Sequence, residues 1–397
     1  MTGGDGSSSK VASRPAASTG SRERSGPVSP PEPTLRHLRR LSGPFGLFEH
    51  ALGAEPRPEC GYCTDDNGRA LALACRVPAD PYAEELAHQS LRFVEGAHLG
   101  AGRFRLRLGA HGRWTTEPPS DDAAGRALLG LGAATAEAPW EAVRERAGAL
   151  FVQAAAFRSS WPRATAYAAL GAAEVALSEH ADRRSRRVAR RLLAGAAKVL
   201  PLPAGAPSEE GFGPLDAGQA PGKRSWRWPE PRLTYANALL PAGLLAAGEA
   251  LGRDDLVAGS LDLLCWLVDE EGVEGRFSFA PVGGRGPGGP KPAWDQQPIE
   301  AGAMAHACAR AFSLSGENRW RASLEAALWW WLGRNDNGAL IWDPATGGGY
   351  DGLHPGGVNT NQGAESTIAF VGAMALAQAQ VFSASRRLET EAVAAPT

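Results

Sequence analysis

Residues 121–157, DDAAGRALLGLGAATAEAPWEAVRERAGALFVQAAAF, decide the fold. The first half, from Asp121, is a run of Ala, Leu and Gly with almost no bulky side chain. The second half, Trp140–Phe157, mixes charged and apolar residues at helical spacing. A helix of small residues can approach its neighbours closely, as an inner helix must. A helix with one polar face belongs on the outside, with that face in water. The stretch therefore predicts an inner helix that turns back into an outer one.

The same couplet recurs along the chain. Small-residue helices begin near Asp65, Asp121, Pro162, Leu233, Pro298 and Gln362. Charged partners run near Pro81–Glu95, Trp140–Phe157, Arg183–Val199, Asp254–Asp269 and Arg319–Leu332. The sixth inner helix has no long partner after it. A short helix at Thr34–Leu41, with Thr34 as N-cap, is placed to take that role. The spacings are long and unequal, which excludes a tandem solenoid of identical repeats. Six such hairpins predict an all-α chain folded as an (α/α)6 toroid. Strand signals at Arg103–Leu108 and Gly275–Val282 read as excursions within loops. Residues 1–33 are rich in Ser, Gly, Pro and Arg without hydrophobic periodicity, which predicts a disordered tail. The barrel is expected over residues 34–385, with a frayed end at 386–397.

Charge and cysteine content exclude several classes. With 41 basic and 43 acidic residues the net charge is -2, so no nucleic acid is expected as a partner. The Arg-dense run Arg183–Arg191 fits the solvated face of a helix. Five cysteines do not form a disulfide framework, and Cys265 and Cys308 lie in apolar runs. Cys60-x-x-Cys63 has no second pair to complete a zinc site, so neither metal nor cofactor is expected. No apolar run reaches the ~20 residues that span a membrane. A signal-peptide core is missing as well, so the expected location is cytoplasmic, without a membrane partner.

In a toroid of this kind the candidate chemistry lies where loops enter the inner helices, and unusual residues gather there. The first entrance holds Tyr62, Asp65, Asp66, Asn67 and Arg69, and the second Asp121 and Asp122. The two entrances look alike: Gly68-Arg69-Ala70-Leu71 follows one Asp pair and Gly125-Arg126-Ala127-Leu128 the other. The fourth reads Trp226-Arg227-Trp228-Pro229-Glu230, followed by Tyr235 and Asn237 on the helix. The fifth reads Trp294-Asp295-Gln296-Gln297-Pro298-Ile299-Glu300, and the sixth supplies Asp351, His354, Asn361, Gln362 and Glu365. Tryptophan faces stack on sugar rings, and Asp, Asn, Gln and Arg make the directional bonds that hydroxyls need. Oligosaccharide or a glycoconjugate is therefore the expected partner, with Trp226 and Trp228 as stacking platforms.

Asp66, Asp122, Glu230, Glu300 and Glu365 are the candidate catalytic carboxylates. Ring geometry predicts Asp66 opposite Glu230 and Asp122 opposite Glu300. Opposed carboxylates suit glycosidic cleavage, in which one protonates the leaving oxygen and the other activates water or leaves room for phosphate. Glu300 is the leading candidate for the acid. A first-turn carboxylate is also an ordinary partner of the helix dipole, so Glu300, Glu365, Asp66 and Asp122 each have a purely structural reading beside the catalytic one, while Glu230 is less easily explained as a cap. His306 lies six residues after Glu300, off its helical face, which counts against a sugar epimerase built on a His pair.

Three segments carry a resemblance: Gly61-Tyr62-Cys63-Thr64-Asp65-Asp66-Asn67-Gly68-Arg69-Ala70-Leu71, Asp295-Gln296-Gln297-Pro298-Ile299-Glu300-Ala301 and Asn361-Gln362-Gly363-Ala364-Glu365-Ser366-Thr367. Together they resemble an uncharacterised bacterial family of six-hairpin glycosidase-like domains, over roughly residues 34–380. That resemblance implies an (α/α)6 toroid, carbohydrate metabolism and a glycosyltransferase as possible partner. The reaction expected first is cleavage or phosphorolysis of a glycosidic bond. A non-catalytic glycan-binding or accessory domain is the alternative, and a sugar epimerase the third reading.

Overall fold

The computed structural model describes residues 30–201 and 226–382, of which residues 31 onward belong to one compact unit. Small-residue helices form its inner layer: α2 (Thr64–Arg76), α4 (Asp121–Glu137), α6 (Pro162–Leu177), α8 (Leu239–Leu251), α10 (Pro298–Ser315) and α12 (Ala364–Ala377). Around them lie α1 (Arg36–Arg40), α3 (Ala83–Ala97), α5 (Glu141–Ala154), α7 (Arg183–Val199), α9 (Asp254–Glu271) and α11 (Asn318–Trp331). Each inner helix packs on the next, and α12 packs back on α2, so the ring closes. The short helix α1 packs on α12, as expected of a sixth outer element. The chain is an (α/α)6 toroid.

Composition sets the layers. In α4, 14 of 17 residues are buried, as in a helix surrounded by others. In α7, 5 of 17 are buried, and its arginines face water. Glycine brings the first three inner helices to backbone contact. A Cβ on Gly132 would stand 2.2 Å from the Gly171 carbonyl oxygen, and one on Gly130 2.2 Å from that of Gly68. A backbone carbonyl cannot swing aside as a side chain does. Gly132→Ala is therefore expected to lower the unfolding free energy by about 2 kcal/mol, although Ala is the better helix former by about 1 kcal/mol. Denaturant titration measures this, and an unchanged or raised stability would show that α4 and α6 are not clamped there.

Element boundaries depart from the sequence reading in a few places. Helix α8 begins at Leu239 rather than Leu233, so Tyr235 and Asn237 precede it. The backbone of Leu233 is committed to Arg285 through two hydrogen bonds of 2.8 and 3.0 Å. The Asn237 side chain then accepts from Thr234 N, and Ala236 adopts a positive φ of 46°, which no helix continues through. Thr34 does not cap α1, which starts at Arg36 behind Leu35; its hydroxyl accepts from Arg36 N at 3.2 Å instead. The strand signals resolve into two-residue pairs. Arg107–Leu108 pairs with Tyr62–Cys63, and Gly272–Val273 with Arg276–Phe277. The expected tails, apart from residues 30–33, lie outside the described residues. Glu32 accepts a 2.6 Å bond from Gln378, so the domain extends slightly before residue 34.

At the C-terminal ends of the inner helices, ion pairs tie the ring across. Arg76 of α2 reaches Glu174 of α6 at 2.5 Å, passing α4, and Arg310 of α10 reaches Glu249 of α8 at 2.9 Å. His306 lies among these groups, its pKa pushed down to about 3 by burial and by Arg76 and Arg310. It lies midway along α10, six residues beyond Glu300.

Candidate active site

At the entrances the first turns of the inner helices carry a continuous charged network. Cys63 caps α2: its sulfur accepts from Asp66 N at 3.4 Å and its thiol donates to Asp66 Oδ2 at 2.9 Å. Buried Asp66 also receives Arg69 Nη2 at 2.6 Å. Arg69 Nη1 continues to Glu365 Oε2 of α12, at 2.8 Å. The design repeats on α4, where Arg126 Nη1 lies 3.1 Å from Asp65 Oδ2 and 3.6 Å from Asp122 Oδ2. Its guanidinium stacks over Tyr167 of α6, 4.6 Å from the ring centre. Tyr235 donates its hydroxyl to Asp122 Oδ2 at 2.8 Å, spanning from the start of α8 past α6 to α4. Arg163 grips Glu230 through two bonds of 2.8 Å and lies 5.0 Å over the Tyr235 ring.

Exposure separates the carboxylates into two kinds. The side chains of Glu365 and Asp122 are 41% and 38% exposed, whereas that of Asp66 is 3% and that of Asp65 21%. Glu365 and Asp122 are thus the acidic groups of α12 and α4 that a ligand can reach, each backed by a buried arginine. Burial works to raise the Glu365 pKa, but Arg69 and Arg126 outweigh it and hold the group below the usual carboxylate value. Burial pushes Asp66 up to about 6 against the pull of Arg69. Burial likewise raises Asp65; Arg126 and Arg69 offset part of this, and the Asp122 carboxylate adds to it.

Glu300 sits elsewhere. It is 3% exposed, and its carboxyl accepts from Ala236 N, from Asn237 N at 3.1 Å and from Asn237 Nδ2 at 3.0 Å. Burial and the neighbouring Glu271 raise its pKa. Its hydrogen bonds are those of a group that fixes the turn leading into α8. The expected opposition of Asp122 and Glu300 is replaced by a shared segment: Asp122 holds Tyr235, and Glu300 holds the two residues after it. In the same way Asp66 is taken by Arg69, and Glu230 by Arg163.

Several other expected ligand-binding residues serve the loops. Tyr62 is buried and stacks on Phe48 at 4.6 Å. Asn67 is buried between Leu47 N and Cys63 O. Gln296 bonds Asp336 and Trp330, and Gln362 bonds Asp343 and Thr346. Asp351 accepts from Gly363 N and Ser366 Oγ at the start of α12, while Asn361 accepts from Gly53 N. Asp121 accepts from Ser159 at 2.6 Å, and His354 from Gly356 N. Trp294 packs against the core, Asp295 is exposed, and Gln297 precedes α10 without capping it. Polar residues at the entrances were visible in sequence, but not whether they point into the lumen or back at the loop.

The tryptophans of the fourth entrance are turned inward rather than presented as platforms. Trp228 is 4% exposed and stacks on Trp266 of α9 at 6.1 Å; Trp226 meets the same ring edge-on at 5.1 Å. Both indole N–H groups go to Glu230: that of Trp226 to its carbonyl oxygen and that of Trp228 to its carboxylate. Trp228→Ala is therefore expected to cost roughly 3–5 kcal/mol of stability, as for a buried aromatic. Thermal or denaturant unfolding measures it; a loss below about 1 kcal/mol would return Trp228 to the surface role.

Tyr167 belongs to the site although it did not stand out in the sequence, and so do Arg126 and Arg163, which stood out at their entrances but not as candidate site residues. The available signal was a long polar side chain within the first turns of a helix otherwise made of Ala, Leu and Gly. Among the described residues no group of three or more His, Cys, Asp or Glu is arranged to hold a metal ion. Nor is any described helix long and apolar enough to cross a membrane.

No protein-family model and no curated protein sequence matches the chain. Its fold is similar to that of a sugar epimerase from a ruminal bacterium, with a TM-score of 0.60 and 10% identity over 86% of this chain and 94% of that one. Cellobiose 2-epimerase from Bacillus thermoamylovorans gives a TM-score of 0.60 at 8% identity, covering 86% and 95%. A cellulase from C. cellulolyticum gives 0.51 at 8% identity, covering 84% and 86%. At such identities the likeness establishes architecture: the chain shares the six-hairpin toroid of these proteins.

Proposed function

We propose that this protein acts on carbohydrate at the N-terminal mouth of its inner helices, hydrolysing a glycosidic bond with Glu365 and Asp122. The observation that carries the reading is the pair of reachable carboxylates, on α12 and α4, each seated on a buried arginine. Glu365, held ionised by Arg69, takes a proton from water as its oxygen adds to the anomeric carbon. Asp65, whose pKa is raised by burial, and Asp122 flank the single guanidinium of Arg126. Asp122, the more open of the two, is the group placed to pass a proton to the leaving sugar oxygen as the C–O bond breaks, and Tyr235 fixes its orientation.

The same two carboxylates would also serve to take a proton from a sugar carbon and return it. Proteins of this fold named sugar epimerase, cellobiose 2-epimerase and mannose isomerase keep that second reading in view. A glycan-binding domain assisting a glycosyltransferase is the non-catalytic alternative. Incubation with a panel of neutral mono- and oligosaccharides, followed by product analysis in heavy water, separates the three. Two fragments support hydrolysis. An isomer of unchanged composition carrying solvent deuterium supports epimerisation. Binding without any product supports the accessory role.

A further inference from the structure

Resting on the carbohydrate reading, we infer that this mouth selects uncharged sugars and rejects acidic sugars, sugar phosphates and inorganic phosphate. Arginine is the usual side chain for a carboxylate or phosphate ligand, because its fork of N–H groups fits two oxygens at once. Three arginines line the mouth, and each is already engaged by acidic groups of the protein. Arg69 lies between Asp66 and Glu365. Arg126 lies between Asp65 and Asp122. Arg163 spends its fork on both oxygens of Glu230. Five carboxylates therefore face three guanidinium groups, and the most exposed members of that network, Glu365 and Asp122, are acidic. An incoming anion would have to displace a built-in carboxylate and would meet like charge in a recess of low dielectric.

The remaining bonding capacity fits hydroxyl groups. Arg126 is 4% exposed, and its Nε and Nη1 have no hydrogen-bond acceptor; Arg69 Nε and Asp65 Oδ1 likewise lack a hydrogen-bond partner. Donors and an acceptor are thus left side by side around the Tyr167 and Tyr235 rings. These atoms are buried, so a sugar hydroxyl would meet them through a bridging water, which both gives and takes a hydrogen bond and satisfies such a mixture. A purely accepting phosphate or carboxylate leaves the Asp65 oxygen unsatisfied and repelled.

The test uses the full chain and calorimetric titration with glucose, galactose and mannose, each beside its uronic acid and its 6-phosphate, plus inorganic phosphate. At least one parent sugar is expected to bind at least ~10-fold tighter than either of its acidic derivatives, with no binding of phosphate. An acidic derivative or phosphate that binds as tightly as the best parent sugar overturns the inference and leaves the carbohydrate reading standing. If no compound in the series binds, both fall. Asp122→Asn supplies a second arm, since it removes one of the two carboxylates on Arg126. That variant is expected to narrow the preference for the parent sugar over its uronic acid by about 10-fold. An unchanged ratio would overturn the charge argument even if the wild type preferred neutral sugars.

Discussion

Glu365→Gln is expected to lower turnover at least ~100-fold while leaving sugar binding within about threefold of the parent. The amide keeps the size of the side chain and its acceptor oxygen for Arg69, so the mouth keeps its shape. It removes the basic carboxylate, which matters as the proton leaves water in the transition state. Arg69 and Arg126 hold Glu365 below the ordinary value of 4.5, so the acid limb of kcat/KM is expected below that value as well. Loss of the Arg69 counter-charge in a Met variant is expected to move this limb to higher pH. Steady-state kinetics on whichever sugar the panel identifies, with circular dichroism as a check on folding, measures both effects. A Glu365→Gln protein that turns over like its parent would remove Glu365 from the chemistry. The base would then have to be sought at Asp122.

Glu300→Ala is expected to destabilise the domain by roughly 3 kcal/mol, because two backbone N–H groups and an amide N–H lose a buried acceptor together. The wild-type carboxyl also makes stability depend on pH. Its folded pKa lies above the unfolded value of 4.5, through burial and Glu271. The folded chain therefore binds more protons than the unfolded one above that value, and stability falls as pH rises. Asp66, pushed up to about 6, has the same sign. The melting temperature is expected to decline between about pH 5 and about pH 9, and Glu300→Gln to flatten that decline. A wild-type profile that rises over this range would show that Glu300 is ionised in the fold.

Layering was legible because it depends on side-chain volume and polarity, which the sequence states directly. Ala, Leu and Gly in α4 demanded an inner place, and the arginines of α7 an outer one. The candidate site was legible only in part. Asp66, Asp122, Glu230 and Glu365 do line the entrances. Which of them remains open to solvent was decided by arginines on neighbouring inner helices, and nothing in linear spacing pairs Arg69 with Glu365, 296 residues away. Tryptophan was misleading for a related reason. Trp226 and Trp228 have an apolar body and one N–H, a combination that suits a sugar platform and a wedge against Trp266 equally well. Trp266 announced itself only as one more residue of an outer helix.

Closure of the ring also has a temporal side. Arg36 bonds the Thr346 carbonyl, and His37 meets that of Gln362, 310 and 325 residues along the chain. Glu365, the counter-ion of Arg69, emerges from the ribosome after all five earlier hairpins. During synthesis the first hairpins can pair locally through their glycine contacts, yet Arg69 and Asp66 wait without their third member. Contacts of such sequence separation slow the final folding step. The carboxylate proposed as base is therefore installed by that step, and a nascent chain stalled before α12 carries half a mouth without it.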